Sequence, residues 1–243
     1  MKNKISVVGI GPGEEEMMTL QAIRALEESD VIIGYGVYLE LLGDRFRGKE
    51  FLSTPMKKET RRCRMSFEEA MKGKKVAMIC SGDAGVYGMA SLMYEIGTEY
   101  PDCELTVIPG VTAANSGAAC LGAPLNHDYT VISLSDLLTP WELIERRLRA
   151  AAQGDFCITL YNPSSRKRAD YLRKACDILL EDMEEDRACG YVENIGRAGQ
   201  RYVTCTLKEL KEQQVNMFTT VFIGNSQTLI QEGKLVTPRG YRL

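Results

Sequence analysis

The stretch from Val76 to Gly88 constrains the fold more than any other part of this 243-residue chain. Its first five residues, Val76 to Cys80, form an apolar run that is typical of a buried strand. A loop of small residues follows, in which Gly82 and Gly85 allow the backbone to turn tightly and to approach a ligand. Apolar residues then recur at three- and four-residue intervals from Val86 to Ile96, which predicts a helix. This order predicts an open α/β sheet with a ligand crevice at the carboxyl ends of its strands.

Asp83 is the only acidic residue in this loop, and the sequence supports two interpretations of it. Its carboxylate can hold a ribose or act through its negative charge. It can equally serve as the cap of the helix that follows. The residues alone leave both interpretations open.

A second strand, loop and helix open the chain, with a predicted strand from Lys4 to Ile10 and a predicted helix from Glu14 to Glu28. The loop Gly9-Ile10-Gly11-Pro12-Gly13 departs from the Gly-x-Gly-x-x-Gly pattern of dinucleotide-binding folds. Pro12 lacks an amide donor, and three glutamates follow where a pyrophosphate would lie. The loop therefore predicts a ligand poor in phosphate, such as a nucleoside, and disfavours a nicotinamide-dependent oxidoreductase.

Composition and charge exclude several classes of protein. The 30 basic and 33 acidic residues give a net charge of −3, so no overall field favours nucleic acid. No apolar stretch approaches membrane-spanning length and no signal-peptide cleavage region is apparent, so we expect a cytoplasmic protein without a membrane partner. The eight cysteines contain no Cys-x-x-Cys pair, and His127 is the single histidine. We therefore predict no metal site in the protein itself, and cysteines that act as small apolar side chains.

The distribution of strand-like and helical segments predicts two α/β domains. The second half of the chain is richer in consecutive strands than the first, and there is no internal repeat, low-complexity segment or long linker. We place the domains at residues 1–115 and 116–243.

A basic segment between these strand–loop–helix patterns has two interpretations. Residues 57–64 include five basic side chains, which are Lys57, Lys58, Arg61, Arg62 and Arg64. Such a run is often a solvated helix face. It can also clamp a polycarboxylate, for which the planar fork of arginine is well suited.

Several loop motifs, taken in order, resemble those of a known family. They are Val8-Gly9-Ile10-Gly11-Pro12-Gly13, Ser81-Gly82-Asp83, Pro109-Gly110-Val111-Thr112-Ala113 and Tyr161-Asn162-Pro163. Over essentially the whole chain they resemble the signatures of the tetrapyrrole methyltransferases, class III enzymes that use S-adenosylmethionine. Two further stretches resemble the branch that methylates C17 of precorrin-3B or cobalt-factor III. They are His127-Asp128 with Ile132 to Trp141, and Gly190 to Val192 with Asn194 to Arg197.

The resemblance implies two α/β domains with a cofactor and substrate trough between them, and a homodimer. It implies methyl transfer from S-adenosyl-L-methionine to C17 of a precorrin-3B-type macrocycle or cobalt-factor III, with ring contraction, in cobalamin biosynthesis. S-adenosyl-L-homocysteine would be the product. Methylation at another carbon of a precorrin or uroporphyrinogen is the alternative, and a non-catalytic ligand-binding module is a further one. Whether the substrate contains cobalt stays open at this point.

The resemblance also implies positions for the cofactor and the substrate. The cofactor positions are Gly11, Pro12, Gly82, Asp83, Val86, Thr112, Ala113, Tyr161 and Asn162, with weaker matches at Val192-Glu193-Asn194, which includes the assigned Asn194, and at Ile223-Gly224-Asn225. The substrate positions are Lys57, Arg61, Arg62, Arg64 and Arg166, with Arg168 as a further candidate.

Ring contraction moves protons, and such steps commonly use a positioned acid or base. Our candidates beside the branch motif are His127, Asp128, Ser133 and Asp136. His127 can instead be a hydrogen-bonded structural histidine, and Asp136 can instead cap the helix predicted to start at Pro140.

Overall fold

A computed structural model describes residues 2–165 and 167–242. The chain divides into two compact units, Met1–Ala113 and Ala114–Leu243, and each contains a five-stranded sheet. The predicted α/β class is therefore confirmed. Over the described residues, no helix has both the length and the apolar character needed to span a membrane.

The first unit alternates strands with helices. Its elements are β1 (Asn3–Gly9), α1 (Leu20–Glu28), β2 (Val31–Tyr35), α2 (Gly36–Leu39), β3 (Glu50–Thr54), α3 (Glu59–Met71), β4 (Val76–Cys80), α4 (Ala90–Gly97) and β5 (Cys103–Ile108), with short 3₁₀ helices at Glu15–Met17 and Asp44–Phe46. All five strands are parallel, in the order β3-β2-β4-β1-β5. Parallel strands end at the same edge of a sheet, so the loops that follow them lie at this carboxyl edge.

Strand β4 is buried along its whole length because helices cover both faces of the sheet. Met78 belongs to the apolar cluster that contains Phe67 of α3. The next residue, Ile79, belongs to the cluster on the other face, which contains Leu26 of α1. The strand predicted from the apolar run is confirmed, and its burial on both faces explains why the run does not alternate with polar residues.

Two helices of the first unit begin later than the sequence predicts. The periodic pattern predicted a helix from Glu14, but α1 begins at Leu20, where the hydroxyl of Thr19 accepts a hydrogen bond from the backbone of the first turn. The glutamates therefore precede the helix. Helix α4 begins at Ala90 rather than at Val86, because the glycine-rich loop continues through residues 86–88 in an irregular conformation.

The second unit has a mixed sheet and a smaller one. Its elements are α5 (Ala113–Leu121), β6 (Gly122–Ala123), β7 (Tyr129–Ser133), α6 (Trp141–Gln153), β8 (Cys157–Tyr161), α7 (Tyr171–Leu179), β9 (Ala188–Glu193), β10 (Arg201–Thr206), α8 (Leu207–Lys211), β11 (Thr219–Ile223), β12 (Leu229–Gln231) and β13 (Lys234–Val236). The large sheet has the order β10-β9-β11-β8-β7, and β12, β13 and β6 form the small sheet. The short strands β3, β6, β12 and β13 were not predicted.

The direction of the strands in the second unit decides which of its loops are neighbours. Strands β7 and β8 are parallel, and β11 is antiparallel to both β8 and β9. It follows that β7, β8 and β9 run the same way and end at one edge, at Ser133, Tyr161 and Glu193. We call this the carboxyl edge of the second unit, and the edge at which these strands begin the opposite edge.

All eight cysteines are free, and six of them are buried. Cys176 lies in the core of the second unit with Leu172 and Leu179. Burial raises the pKa of its thiol to about 12, so the side chain is an uncharged, apolar group. This agrees with the interpretation of the cysteines as small hydrophobic residues.

We expect Phe67→Ala to lower the free energy of unfolding by about 3–5 kcal/mol, because it removes a large buried side chain. Phe67 is fully buried and its ring stacks on Tyr100 with the centroids 4.6 Å apart. The matched control is Phe51→Ala on β3, where the side chain is 40% exposed, and its loss should stay below about 1 kcal/mol. Urea unfolding followed by circular dichroism measures both, and equal losses would contradict this description of the core.

Candidate functional site

Three loops meet at the carboxyl edge of the first unit through direct contact between their backbones. The amide of Gly11 donates to the carbonyl of Gly82 at 3.0 Å, and the amide of Gly82 donates to the carbonyl of Gly11 at 2.7 Å. A Cβ on Gly9 would lie 2.7 Å from the amide nitrogen of Gly110. A Cβ on Gly110 would lie 2.1 Å from the carbonyl oxygen of Gly82. The loops after β1, β4 and β5 can therefore approach this closely only with glycine at these positions.

Asp83 connects two of these loops. Its Oδ1 accepts hydrogen bonds from the amides of Gly85 at 2.8 Å and Val86 at 3.1 Å. Its Oδ2 accepts from the amide of Gly110 at 2.9 Å. The helix-cap interpretation is wrong, because α4 begins only at Ala90 and the bonds of Asp83 lie within and between loops. A carboxylate has about four acceptor positions, so roughly one is left for a ligand.

The other predicted cofactor positions of the first unit border the same cluster. A Cβ on Gly82 would lie 3.8 Å from the amide nitrogen of Ala113 and from the Cα of Thr112. The strand order β4-β1-β5 places the three loops side by side. The structure thus brings together the seven predicted residues of this unit, which are Gly11, Pro12, Gly82, Asp83, Val86, Thr112 and Ala113.

The chemistry of this cluster suits a ligand without phosphate. Its walls are backbone amides and carbonyls, and no lysine or arginine occurs in residues 8–13, 81–88 or 109–114. The carboxylate of Asp83 would repel a phosphate and would attract a hydroxyl donor or a positive charge. Helix α1 begins at Leu20, seven residues beyond the end of its glycine loop at Gly13, so its N-terminus does not form a phosphate site there.

The predicted basic segment lies in the loop after β3 and the first turns of α3, which is also at the carboxyl edge of the first unit. It forms a cleft of about 580 Å³, whose lining includes Lys57, Lys58, Glu59, Arg61 and Arg64. Within residues 2–165 and 167–242, the side chains of Lys57, Lys58 and Arg61 make no ion pair. Three cations of this cleft are thus available to an anionic group.

Two arginines of the segment are engaged within the protein. Arg62 is 5% exposed, and its guanidinium donates to the Thr54 hydroxyl at 3.1 Å and to the Pro55 carbonyl at 3.3 Å. It therefore holds the loop after β3 and does not face solvent as we expected of a substrate contact. Arg64 donates to both carboxylate oxygens of Glu99, at 2.6 and 2.7 Å. Arg166, the remaining predicted substrate contact, lies outside the described residues.

Four predicted residues, Ser133, Tyr161, Asn162 and Asn194, lie at the carboxyl edge of the second unit. The hydroxyl of Tyr161 accepts a hydrogen bond from the amide of Ala114 at 2.8 Å, in the first turn of α5. The side-chain amide of Asn162 donates to Oγ of Ser133 at 2.9 Å. Asn194 follows β9 at the same edge. Asn162 and Asn194 both have left-handed backbone, with φ of 53° and 54°, a conformation that asparagine tolerates better than most residues.

His127 and Asp128 lie at the opposite edge of the second unit. Nε2 of His127 donates to the carbonyl of Pro238 at 3.0 Å, as it must because a carbonyl only accepts. The carbonyl of Asp128 accepts from the amide of Cys157 at the start of β8, at 3.1 Å. Strand β7, which is about 13 Å long at about 3.3 Å per residue, lies between both residues and Ser133. The four predicted catalytic residues therefore do not form one group.

The weaker cofactor match at residues 223–225 also lies at the opposite edge. The amide of Gly224 donates to the carbonyl of Ala188, the first residue of β9, at 2.9 Å. Oδ1 of Asn225 accepts from the hydroxyl of Thr228 at 3.1 Å. Because β11 is antiparallel to β8 and β9, its end lies beside their beginnings. This direction cannot be inferred from the motif alone.

Asp136 is held by two side chains from beyond β8. The hydroxyl of Tyr171 donates to its Oδ2 at 2.6 Å, and Nε of Arg168 donates to its Oδ1. The hydrogen bond from Tyr171, with the ion pair to Arg168 in addition, lowers the pKa of Asp136 from its ordinary value. The predicted helix-cap role is wrong, because α6 begins at Trp141 without a side-chain cap. No sequence pattern pointed to Tyr171, which lies 35 positions away.

A metal site in a protein requires several ligating side chains that lie close together. Within the part of the chain that the structure describes, no three or more His, Cys, Asp or Glu residues are grouped so that they could hold a metal ion.

The chain matches the model of a known protein family and is similar to known proteins over nearly its full length. The family model described as Tetrapyrrole (Corrin/Porphyrin) Methylases matches residues 4–211. A relative from Priestia megaterium, "Cobalt-factor III methyltransferase", is 45% identical over 247 residues, which cover 100% of this chain and 46% of that protein. A relative from Salmonella typhimurium, "Probable cobalt-factor III C(17)-methyltransferase", is 43% identical over 240 residues, which cover 98% of this chain and 100% of that protein. The chain thus spans about half of the first relative and all of the second.

The structure also resembles a solved one over nearly its full length. The crystal structure of the methyltransferase CobJ superposes with a TM-score of 0.89 at 34% sequence identity. The match covers 97% of this chain and 100% of that one.

We expect Gly110→Ala to lower the free energy of unfolding by about 1–3 kcal/mol, because the new Cβ can be accommodated only by moving backbone. The matched control is Gly48→Ala, where a Cβ would meet nothing within 4 Å. Urea unfolding measures both variants. A Gly110→Ala variant as stable as the control would show that the three loops are less tightly packed than described here.

A second prediction concerns the acid stability of the Asp136 contact. Because the folded-state pKa of Asp136 is lowered, its interactions stabilise the protein above the ordinary carboxyl pKa and are lost as the pH falls through the folded-state pKa. We therefore expect Tyr171→Phe to raise the pKa of Asp136, and to be destabilising at pH 7 but less so below about pH 4. Carbon NMR titration of the Asp136 carboxyl group measures its pKa. Urea unfolding at pH 7 and below about pH 4 measures the change in the free energy of unfolding.

The control for this prediction is Tyr191→Phe. The hydroxyl of Tyr191 donates to the uncharged side chain of Gln213 at 3.2 Å, so the loss from this substitution should be similar at both pH values. If both variants show the same pH dependence, Tyr171 does not act through the charge of Asp136.

Proposed function

Because this chain belongs to the tetrapyrrole (corrin/porphyrin) methylases, we propose that it transfers a methyl group from S-adenosyl-L-methionine to C17 of cobalt-factor III, with ring contraction, in cobalamin biosynthesis. Support for the substrate comes from the names of the two relatives, both of which refer to cobalt-factor III. The cobalt ion would arrive with the substrate, so the protein itself needs no metal ligands.

The observation that carries the proposal is the backbone-walled cluster around Gly82 and Asp83. A nucleoside with a positively charged sulfur fits its chemistry, because the walls offer amides and carbonyls together with one carboxylate. When bound, S-adenosyl-L-methionine supplies an electrophilic methyl group, so that alignment contributes more to the rate than a strong base. The remaining acceptor position of Asp83 would hold a ribose hydroxyl, while Gly110 keeps the carboxylate oriented.

In the second unit we assign Tyr161, Asn162 and Asn194 to the same cofactor. Support comes from their shared position at the carboxyl edge and from the left-handed turns at the two asparagines. Tyr161 would act mainly through its backbone, because its hydroxyl already accepts the bond from the amide of Ala114.

We assign Lys57 and Arg61 to the carboxylates of the macrocycle, together with Lys58. The support is that these three side chains share one cleft and make no ion pair within the described residues. Arg62 would contribute indirectly, by holding the loop that carries Lys57 and Lys58. Arg64 would contact a substrate carboxylate only if it broke its ion pair with Glu99.

For ring contraction we retain Ser133 and Asp136 as the candidate groups. Their support is the carboxyl edge that they share with Tyr161 and Asn162. The lowered pKa of Asp136 keeps it ionised near neutral pH, so it would accept a proton or a hydrogen bond and would not act as an acid. His127 and Asp128 lie at the opposite edge, and we do not assign them to this step.

We expect wild-type protein to bind S-adenosyl-L-homocysteine in a calorimetric titration, and Asp83→Ala to lose at least tenfold in affinity. The substitution leaves three amides without an acceptor and removes the proposed ribose contact. The control is Asp102→Ala, an exposed aspartate just before β5. Failure of folded wild-type protein to bind would overturn the cofactor assignment.

Turnover with ¹³C-methyl S-adenosyl-L-methionine then tests the reaction itself. We expect cobalt-factor III to receive a labelled methyl group at C17, which NMR of the product locates. A label on another carbon would favour the alternative methyltransferase, and turnover with metal-free precorrin-3B alone would overturn the cobalt assignment. We include a cytoplasmic homodimer in the proposal, and sedimentation of the same preparation tests the dimer.

A further inference from the structure

The loop between β7 and α6 exposes two adjacent leucines. Leu137 is 59% exposed and Leu138 is 98% exposed, and the latter is the most exposed large apolar side chain among the described residues. Leaving such a side chain in water forgoes the free energy that burial would provide. Two of them side by side therefore indicate a surface that is covered when the protein functions.

The exposure is not the result of a loose loop, because both of its ends are fixed. Leu134, at the start, is fully buried in the core. Asp136 is bound by Tyr171 and Arg168. At the far end, the ring of Trp141 lies against that of Tyr171 with the centroids 4.7 Å apart. The two leucines form the tip of a braced loop and have little freedom to fold back onto the protein.

Acidic residues flank this tip in the sequence, Asp136 before it, which is paired with Arg168, and the exposed Glu142 after it, while a cation lies next to Arg168. Lys167 is exposed and immediately precedes Arg168, the residue that binds Asp136. Its side chain makes no ion pair within residues 2–165 and 167–242. The tip itself, residues 137–140, carries no charge. The apolar tip and the cation of Lys167, which neighbours Arg168 in the chain, are together complementary to a flat apolar ring that carries carboxylates at its rim.

The position of the tip agrees with this complementarity. It follows the end of β7 and therefore lies on the carboxyl edge of the second unit. This is the edge at which Tyr161, Asn162 and Asn194 lie, the residues that we assign to the cofactor. The ring that receives the methyl group must come close to those residues.

We propose that Leu137 and Leu138 form an apolar platform on which one face of the tetrapyrrole substrate packs, with Lys167 beside a rim carboxylate. This inference rests on the proposed function and extends it by assigning a substrate contact. The Asp136–Tyr171–Arg168 contacts hold the platform in place.

The test is Leu138→Ser, which removes most of the apolar contact at a site where no packing within the subunit is lost. We expect the dissociation constant for cobalt-factor III, measured from the change in its absorbance, to rise about tenfold or more. Binding of S-adenosyl-L-homocysteine should not change. Leu138→Met, which keeps the apolar volume, should restore affinity to within about threefold of wild type. The matched control is Leu229→Ser on β12, where the side chain is 50% exposed.

Three outcomes would overturn the inference. The first is a Leu138→Ser variant that binds cobalt-factor III as tightly as wild type while wild type turns it over, which leaves the proposed function intact. The second is a Leu138→Ser variant that sediments as a monomer where the wild type is a dimer, while its affinity for cobalt-factor III is unchanged. That result would assign the leucines to contact with a second copy of the chain. The third is a folded wild type that binds S-adenosyl-L-homocysteine but not cobalt-factor III, in which case the proposed substrate fails as well.

Discussion

The close approach of three backbones at Gly9, Gly82 and Gly110 is the constraint on which the candidate site of the first unit depends. A single methyl group on Gly110 would lie 2.1 Å from a carbonyl oxygen, so the loops after β1, β4 and β5 meet only because these residues have no side chain. Asp83 then fixes the arrangement by accepting amides from its own loop and from Gly110. The result is a surface of backbone groups with one negative charge, which suits a nucleoside better than a phosphate.

In the second unit, the direction of the strands decides which residues come together at one edge of the sheet. Parallel β7, β8 and β9 bring Ser133, Asn162 and Asn194 to one edge, while antiparallel β11 takes Asn225 to the other. His127 shares the edge with Asn225 because it precedes β7. Residues that are close in the sequence, such as His127 and Ser133, are thereby separated by the length of a strand. The proposed apolar platform follows from the same geometry, since its loop leaves the sheet at the edge where the residues proposed to bind the cofactor lie.

Local patterns predicted well those features whose causes are local. The apolar run of β4, the glycine loops and the α/β class were all confirmed, because burial, backbone freedom and periodicity act within a few residues. Helix starts were predicted less well, since α1 begins where Thr19 caps it and not where the apolar periodicity begins. Short strands such as β6 and β13 were missed because each is stabilised by its pairing with the other and not by its own sequence.

The sequence by itself determined that this chain forms α/β units whose glycine loops carry no lysine or arginine, and its ordered motifs were sufficient to suggest the family. Only the tertiary structure decided how the polar side chains are used. Arg62 is buried against Thr54 and Pro55, whereas its neighbour Arg61 makes no ion pair within the described residues. Asp136 binds Tyr171 from 35 positions away. A charged residue looks the same in a sequence whether it binds a ligand or the protein, because its partner is chosen by the fold.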